Sequence, residues 1–316
     1  MTMKRKIVKH GNATLTVSLP SKWIKKYGLK KGDEIEITER ENSLLLSPER
    51  GEFSKSIELS IDNIQPPYMI GWILAALYKR GFDEIILTHE KPKPKIIYEI
   101  LEQSITGFAV IEQTDRKCVL KAITKEEVTE LDPIMKRVFS VINSYAHSSL
   151  EYIKKGNISG LEELFFLDKT MDKLVNFYER ILVKKGYPEY EKTCFMYLIA
   201  WNLEKVSEYY LDICKYMIAK KKVKLGREVI DLFERTNSLL KLFQDIFYNY
   251  DTGKIVLLNK NQKEICSDVE KLIGKLTPDE IIIANHLREI ATKLNCTGTL
   301  TALNYRPDVE KTLKKP

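Results

Sequence analysis

The segment Lys-Arg-Lys-Ile-Val-Lys-His-Gly-Asn at residues 4–12 is followed by Thr-Leu-Thr-Val-Ser-Leu-Pro at 14–20 and by Gly-Leu-Lys-Lys-Gly-Asp at 28–33. In the second stretch apolar side chains alternate with hydroxyl side chains, a period of two that predicts a half-buried strand ended by Pro20. The two glycines of the third stretch are typical of turns. Together these stretches predict a small unit of short strands at the N-terminus.

The residues between and after these stretches complete that unit. Residues 21–27 predict a short helix behind a Ser cap, and Gly28 is a typical left-handed helix stop. Alternation resumes at 34–38, and 44–46 predicts one more short strand. A unit of this size with such short strands buries little surface, so we expect it to need a partner chain in order to fold.

This pattern resembles the swapped-hairpin family of AbrB-like transcription factors and antitoxins. The resemblance spans residues 3–48 and is carried by Lys-His-Gly-Asn at 9–12, by Leu19-Pro20 and by 28–33. It implies that two chains interlace their hairpins into one dimeric β-barrel that binds DNA. Many relatives have Arg after the first glycine, whereas this chain has Asn12, which leaves the base preference open.

Positive charge without acidic charge marks the same segment: residues 1–32 contain nine Lys and Arg side chains and no Asp or Glu. Such a single-sign patch is typical of a phosphate-binding surface, although a solvated basic face would give the same pattern. The resemblance favours DNA binding, mostly through backbone contacts. The candidate DNA-binding residues are Lys4, Arg5, Lys6, Lys9, His10, Asn12, Lys22, Lys25 and Lys26.

The whole chain of 316 residues, 44% hydrophobic and with a net charge of +7, predicts a multidomain α+β protein. We expect three domains, at residues 1–50, 51–125 and 126–316. Five scattered cysteines without a Cys-x-x-Cys spacing argue against a disulfide framework and a zinc site. No apolar run reaches the roughly 18 residues that would predict a transmembrane segment, and no signal peptide is present, so we expect a cytoplasmic protein.

The middle segment alternates between strand and helix patterns. Strands are predicted at 57–61 and 84–88, helices at 67–80 and after Pro94, and a closing hairpin over 108–123. This predicts a small α/β domain without a glycine-rich phosphate loop or a nucleophile elbow. Two roles stay open: a spacer or dimerisation unit, and a ligand-sensing pocket.

Beyond residue 124 long amphipathic segments replace the strands. Six helices are predicted, at residues 128–154, 159–184, 188–220, 226–249, 253–274 and 277–303. Ser159 with Glu162 and Thr277 with Glu280 have the spacing of capping boxes at the second and sixth helices. The layout predicts an all-α bundle of two three-helix repeats joined by short connections.

Two pairs of carboxylates stand out on this bundle, Asp168 with Asp172 and Glu204 with Glu208. Each pair is four residues apart on one helix face, where like charges cost about 0.2–0.5 kcal/mol. Asp168 lies too far from the predicted helix start at Ser159 for the helix dipole to favour it. Apolar surroundings would make ionised carboxylates costly to bury, and a hard cation held by oxygen ligands is one solution.

The acid pairs and the helix layout resemble the PhoU family of phosphate-uptake regulators, whose two three-helix repeats bind metal clusters. The resemblance covers residues 130–303, and it departs where Glu208 stands for the usual Asp. It implies a divalent or trivalent metal ion, with Fe, Zn, Mg and Ni not distinguished, at Asp168, Asp172, Glu204 and Glu208. A solvated acidic face paired with neighbouring lysines is the alternative, and the second repeat has lost its acid pairs.

Taken together, the two resemblances imply a non-enzymatic, phosphate-responsive transcription regulator. Its expected partners are DNA, a second copy of the chain and the phosphate-transport machinery at the membrane surface. The alternative is a PhoU-like adaptor that regulates a phosphate transporter or a signalling kinase without binding DNA. Salt-dependent DNA binding separates the two, because phosphate contacts release counterions.

Overall fold

A computed structural model describes residues 3–11, 13–40, 43–48, 55–90, 94–220 and 223–304. The chain divides into two compact units, Met1–Ser54 and Lys55–Pro316. The overall class is α+β, with N-terminal strands and a helical C-terminal region. Within the described ranges, no helix combines the length and apolar character needed to cross a bilayer. The barrel, the two three-helix repeats and the three-domain division stay predictions.

The N-terminal unit consists of two hairpins with a short helix between them. Its elements are β1 (Val8–His10), β2 (Thr14–Thr16), α1 (Ser21–Lys26), β3 (Ile35–Arg40) and β4 (Ser43–Pro48). β1 pairs antiparallel with β2, and β3 pairs antiparallel with β4. β2 is shorter than the alternation suggested, because residues 17–19 have no strand opposite them in the described part of the chain.

No residue of this unit whose side chain the structure describes is buried. Instead, large apolar side chains on both hairpins and the N-terminal arm are exposed: Met3, Ile7, Val8, Leu15, Val17, Ile37, Leu44 and Leu45. Isolated two-stranded hairpins are at best marginally stable in water. As a single chain, the described part of this unit therefore lacks a hydrophobic core.

The second unit begins with an α/β layer. Its elements are β5 (Ser56–Ser60), α2 (Met69–Lys79), β6 (Glu84–Thr88), α3 (Pro94–Ser104), β7 (Phe108–Gln113) and β8 (Lys117–Ala122). The strand order is β5-β6-β8-β7, with β5 parallel to β6 and the other neighbours antiparallel. The predicted element order is confirmed. α2 and α3 pack against the helical region through α6, defined below.

The helical region follows. Its helices are α4 (Leu131–Lys155), α5 (Ile158–Glu163), α6 (Phe165–Lys185), α7 (Thr193–Lys220), α8 (Arg227–Tyr248), α9 (Thr252–Leu272), α10 (Pro278–Leu294) and α11 (Thr297–Asn304). They surround one continuous core of aliphatic and aromatic side chains. α7 lies against α4, α6 and α10, which makes it the central helix of this region.

Two predicted helices are broken in the structure. The helix predicted at 159–184 is interrupted at Leu164, which separates α5 from α6. The helix predicted at 277–303 is interrupted at residues 295–296, between α10 and α11. Periodicity did not reveal either break, because the apolar pattern continues through both.

The two predicted capping boxes have different outcomes. The box at Thr277 and Glu280 is confirmed, because each side chain bonds the backbone N–H of the other. The box at Ser159 is wrong: Asn157 caps α5, and its Oδ1 accepts the Gly160 N–H at 3.0 Å. Gly156 ends α4 in the left-handed region, at φ 65°, which places Asn157 at the start of the next helix.

Candidate functional site

The basic residues of the N-terminal unit lie at its surface. Eight of the nine candidate DNA-binding residues are exposed: Lys4, Arg5, Lys6, Lys9, His10, Lys22, Lys25 and Lys26. Asn12, the ninth, lies outside the described residues. Lys9 and His10 are on β1, and Lys22, Lys25 and Lys26 are on α1. The exposed cations are therefore accessible to phosphate groups.

Local hydrogen bonds and glycine turns hold these elements in shape. The β1–β2 hairpin turns through Gly11, at φ 68°, and Thr16 Oγ1 donates to the Val8 carbonyl at 3.1 Å. After α1, the Lys30 N–H donates to Asp33 Oδ2 at 2.8 Å. Gly28 adopts φ 60°, the left-handed conformation expected of a helix stop. The left-handed turn at Gly28 and the hydrogen bond to Asp33 account for the residue types at these two positions.

Comparison with known proteins gives a match in the N-terminal unit. A family model described as "Antidote-toxin recognition MazE, bacterial antitoxin" matches residues 8–54. No curated protein and no solved structure matches the chain. The N-terminal unit is thus similar to an AbrB/MazE-like swapped-hairpin domain, a class that binds DNA and dimerises. A DNA-binding function of the transcription-regulator type is supported for this unit.

The second candidate site consists of the four carboxylates predicted from the helix pattern. Asp168 and Asp172 are on α6, Glu204 and Glu208 are on α7, and these two helices pack against each other. α6 begins only at Phe165, so Asp168 lies in its first turn. The expectation that Asp168 is too far from a helix start to benefit from the dipole is therefore wrong.

The carboxylates are close enough to affect one another's ionisation. Burial raises the pKa of Asp172 to about 7, and the negative charges of Asp168, Glu204 and Glu208 add to the effect. Burial likewise raises the pKa of Asp168 to about 6, although the charge of Lys215 opposes it. Burial also raises the pKa of Glu204, and the charges of Lys205 and Lys79 oppose that shift. The structure thus brings the four predicted residues into one electrostatic cluster.

This cluster does not have the arrangement of a preformed metal site. Within the described residues, no group of three or more His, Cys, Asp or Glu side chains is placed to hold one ion. A cation of the protein itself is present instead, since Lys205 Nζ lies 2.7 Å from Glu208 Oε1 and 3.8 Å from Glu204 Oε1. Metal binding by Asp168, Asp172, Glu204 and Glu208 stays a prediction. Elemental analysis of the wild type and of Asp168→Asn with Glu204→Gln would test it.

A third cluster of charges joins the α/β layer to α6 and was not predicted. Arg180 is fully buried. Its Nη1 donates to the Tyr78 and Phe82 carbonyls at 2.7 Å. Its other two nitrogens donate to the carboxylates of Asp83 and Glu126. Lys184 Nζ donates to Asp83 Oδ1 at 2.6 Å and to Glu126 Oε2 at 2.8 Å.

A separate ion pair crosses the same boundary, between the α/β layer and α6. Lys79 Nζ, on α2, lies 3.1 Å from Oε2 of the buried Glu179 on α6. The partners in both clusters are far apart in the sequence, so helix and strand periodicity carries no signal for them. Lys79 contributes to the surroundings of the carboxylate cluster, because its charge opposes the pKa shift of Glu204.

Proposed function

We propose that this protein is a dimeric, DNA-binding transcription regulator of phosphate uptake, in which the helical region of the second unit senses a signal or docks a partner. The observation that carries the DNA-binding part is the concentration of positive charge on the N-terminal unit. Residues 1–32 hold nine Lys and Arg and no acid, and the candidate side chains described there are exposed. A surface of one sign attracts the phosphate backbone, and its affinity falls as salt rises.

The dimeric part of the proposal rests on the missing core. Exposed apolar side chains such as Leu15, Ile37 and Leu44 lie on both hairpins of a unit that buries none of its described residues. A second copy that interlaces its hairpins with these would cover them and form a swapped-hairpin β-barrel. The family match to residues 8–54 supports this arrangement.

The phosphate-related part of the proposal rests on the resemblance of residues 130–303 to PhoU-like bundles. Under this proposal, α4, α6 and α7 would correspond to the first repeat and α8, α9 and α10 to the second. A change in the population of two states of this region would alter the spacing of the paired hairpins and hence the affinity for DNA. The proposal does not depend on a bound metal ion or on any enzymatic activity.

The competing function is an adaptor that docks on phosphate-transport machinery at the membrane surface and uses the hairpins only to dimerise. That adaptor would not bind DNA. The two functions therefore differ in one measurable property, salt-dependent affinity for DNA.

The test is fluorescence anisotropy of full-length protein with DNA from upstream of its own gene and of neighbouring phosphate-transport genes. We expect binding at low salt that weakens at physiological salt, and a large decrease in affinity in the triple variant Lys4→Ala, Arg5→Ala, Lys9→Ala. For every DNA phosphate that the variant no longer neutralises, the slope of log K against log salt should decrease in magnitude by about 0.9.

The matched control also removes three positive charges, but from the second unit. It is the triple variant Lys136→Ala, Lys155→Ala, Lys260→Ala. These side chains are all about two-thirds exposed, at 66%, 69% and 68%. The control should bind DNA nearly as tightly as the wild type. If neither the wild type nor the control binds, the adaptor is favoured; equal decreases in both variants would mean that only net charge matters.

A further inference from the structure

A cavity of about 830 Å³ lies inside the second unit, between α2 and α3 on one side and α6 and α7 on the other. Small-molecule sites occupy roughly 300–1,000 Å³. The cavity is bounded by the carboxylate cluster on one side and by side chains of the α/β layer on the other, among them Trp72 and Lys79. Every residue that lines it belongs to the second unit, so the inference is independent of DNA binding.

The two lysines of the cavity wall are already paired with carboxylates of the protein. Lys79 lies 3.1 Å from Glu179, which is fully buried and not part of the cavity lining. Lys205 lies 2.7 Å from Glu208. Both ammonium groups are therefore already engaged with carboxylates of the protein, and acidic side chains outnumber basic ones in the cavity lining.

On the side of the cavity formed by α6 and α7, two acidic groups lack an ion pair as short as these. Glu204 Oε2 is buried and has no hydrogen-bond partner in the described part of the chain. Asp172, one turn along α6 from Asp168, lines the same cavity. A buried carboxylate oxygen without a donor costs free energy, which a ligand that brings N–H donors and positive charge would recover.

The opposite wall is aromatic and apolar. Tyr68 and Trp72 form an edge-to-face pair with ring centroids 5.1 Å apart, and their side chains are 60% and 65% exposed at the rim. Ala75 and Ala76 continue this wall along α2. Aromatic faces attract cations, and the same surface covers an apolar chain.

The boundary between the two walls is already fixed without a ligand. Asn176 Nδ2, on α6, donates to the carbonyl of Ser104, at the end of α3, at 2.9 Å. Both residues line the cavity. A ligand would therefore enter a site whose sides are held in place, which reduces the cost of ordering on binding.

We propose that this cavity binds a small organic cation, a primary amine whose ammonium group contacts Asp172 and Glu204 and whose apolar body lies against Trp72. An anion would meet the four acidic side chains of the wall, Glu99, Asp172, Glu204 and Glu208. A hard metal ion would compete with Lys205 for Glu204 and Glu208. An amine carried on an apolar or aromatic body satisfies both walls at once.

The test is isothermal titration calorimetry of full-length protein without DNA, with phenethylamine as the probe. The neutral isostere 2-phenylethanol and magnesium chloride are titrated in parallel. We expect saturable binding of the amine, at least tenfold weaker binding of the alcohol and no saturable heat from magnesium. Equal binding of amine and alcohol, no binding of the amine, or saturable magnesium binding that excludes the amine would overturn the proposal.

Variants locate the site. Asp172→Asn with Glu204→Gln changes the two acids proposed to contact the ammonium group and should weaken amine binding at least tenfold, whereas Glu264→Gln on α9, an acid outside the cavity, should leave it unchanged. Trp72→Ala removes an exposed rim residue and should weaken binding several-fold without affecting folding. Amine affinity that is unaltered in both cavity variants would contradict the assignment.

Discussion

The N-terminal unit buries none of its described side chains, whereas the second unit buries even the guanidinium group of Arg180. Both units are rich in basic residues, yet they use them differently. The nine Lys and Arg side chains of residues 1–32 are exposed and have no Asp or Glu among them in sequence, which suits contact with an external polyanion. In the second unit Arg180 and Lys184 are matched by Asp83 and Glu126. Whether a basic side chain is exposed or buried against acidic partners therefore separates a binding surface from a structural contact.

The same contrast applies to apolar side chains. In the second unit, the buried apolar side chains form two continuous cores, one in the helical region and one in the α/β layer. Large apolar side chains of the hairpins are exposed. We infer that the second unit is stable by itself and that the first depends on a second copy of the chain.

The largest effect is expected from Arg180→Ala in the second unit. The substitution leaves Asp83 and Glu126 with less of their compensating charge in a buried setting, and breaking a buried pair in this way typically costs about 3–5 kcal/mol. Urea unfolding of full-length protein, followed by a signal from the second unit, measures the decrease in stability. Arg235→Ala is the control, because Arg235 pairs with Asp231 and Asp268 at a partly exposed position, where we expect about 1 kcal/mol or less. Equal decreases would mean that the buried cluster contributes no more than a surface pair.

A smaller effect is expected from Gly28→Ala in the N-terminal unit. A Cβ at this position would meet no atom within 4 Å, so the cost comes from the left-handed φ of 60° alone. That conformation costs a non-glycine residue about 1–2 kcal/mol. Hydrogen exchange of the β3 and β4 amides in the dimer measures the change. Gly298→Ala also has open space but no left-handed φ, and it should not destabilise the protein.

The smallest expected effect is the pH dependence that Asp83 gives to the free energy of unfolding. Burial acts to raise the pKa of Asp83, but hydrogen bonds from Lys184 and the Lys55 N–H, with the charges of Lys184 and Arg180, lower it below its usual range. The ionised form is thus favoured by folding, so this contribution is present above the unfolded-state pKa near 3.8 and is lost as pH falls through the folded-state value.

Unfolding measured from pH 6 down to pH 2.5 checks this dependence. Asp83→Asn should be less stable than the wild type at pH 6, and the difference should shrink as the solution is acidified. Asp132→Asn, at an exposed position, is the control and should show no such convergence. A difference that stays constant with pH would mean that the charge of Asp83 does not contribute.

Much of the fold could be predicted from local patterns in the sequence. The bounds of β6 agree residue for residue with the predicted strand at 84–88, because its short apolar run is flanked by polar and turn residues. The left-handed Gly28 and the capping box at Thr277 were likewise predictable, since each depends on residues within four positions. The break at Leu164 was not, because an apolar residue at that position fits a continuous helix equally well.

The candidate sites show the same limit. The basic surface and the four carboxylates were predicted, because each is a pattern of nearby residues. The contacts of Arg180 with Asp83 and Tyr78 were not, because about one hundred positions separate these residues. Trp72 and Lys79 also gave no signal as cavity residues, since their position depends on how α2 packs against α6.

The most direct test of the account is sedimentation equilibrium of full-length wild-type protein beside Ile37→Asp, which places a charge on an exposed apolar position of β3. If the hairpins obtain their core from a second copy, the wild type should have twice the 36.7 kDa mass of one chain and the variant should be shifted towards a single chain. Thr38→Asp, on the opposite face of the same strand, is the matched control and should perturb the dimer less. A monomeric wild type, or an Ile37→Asp variant as dimeric as the wild type, would contradict the claim that the N-terminal unit is completed by its partner.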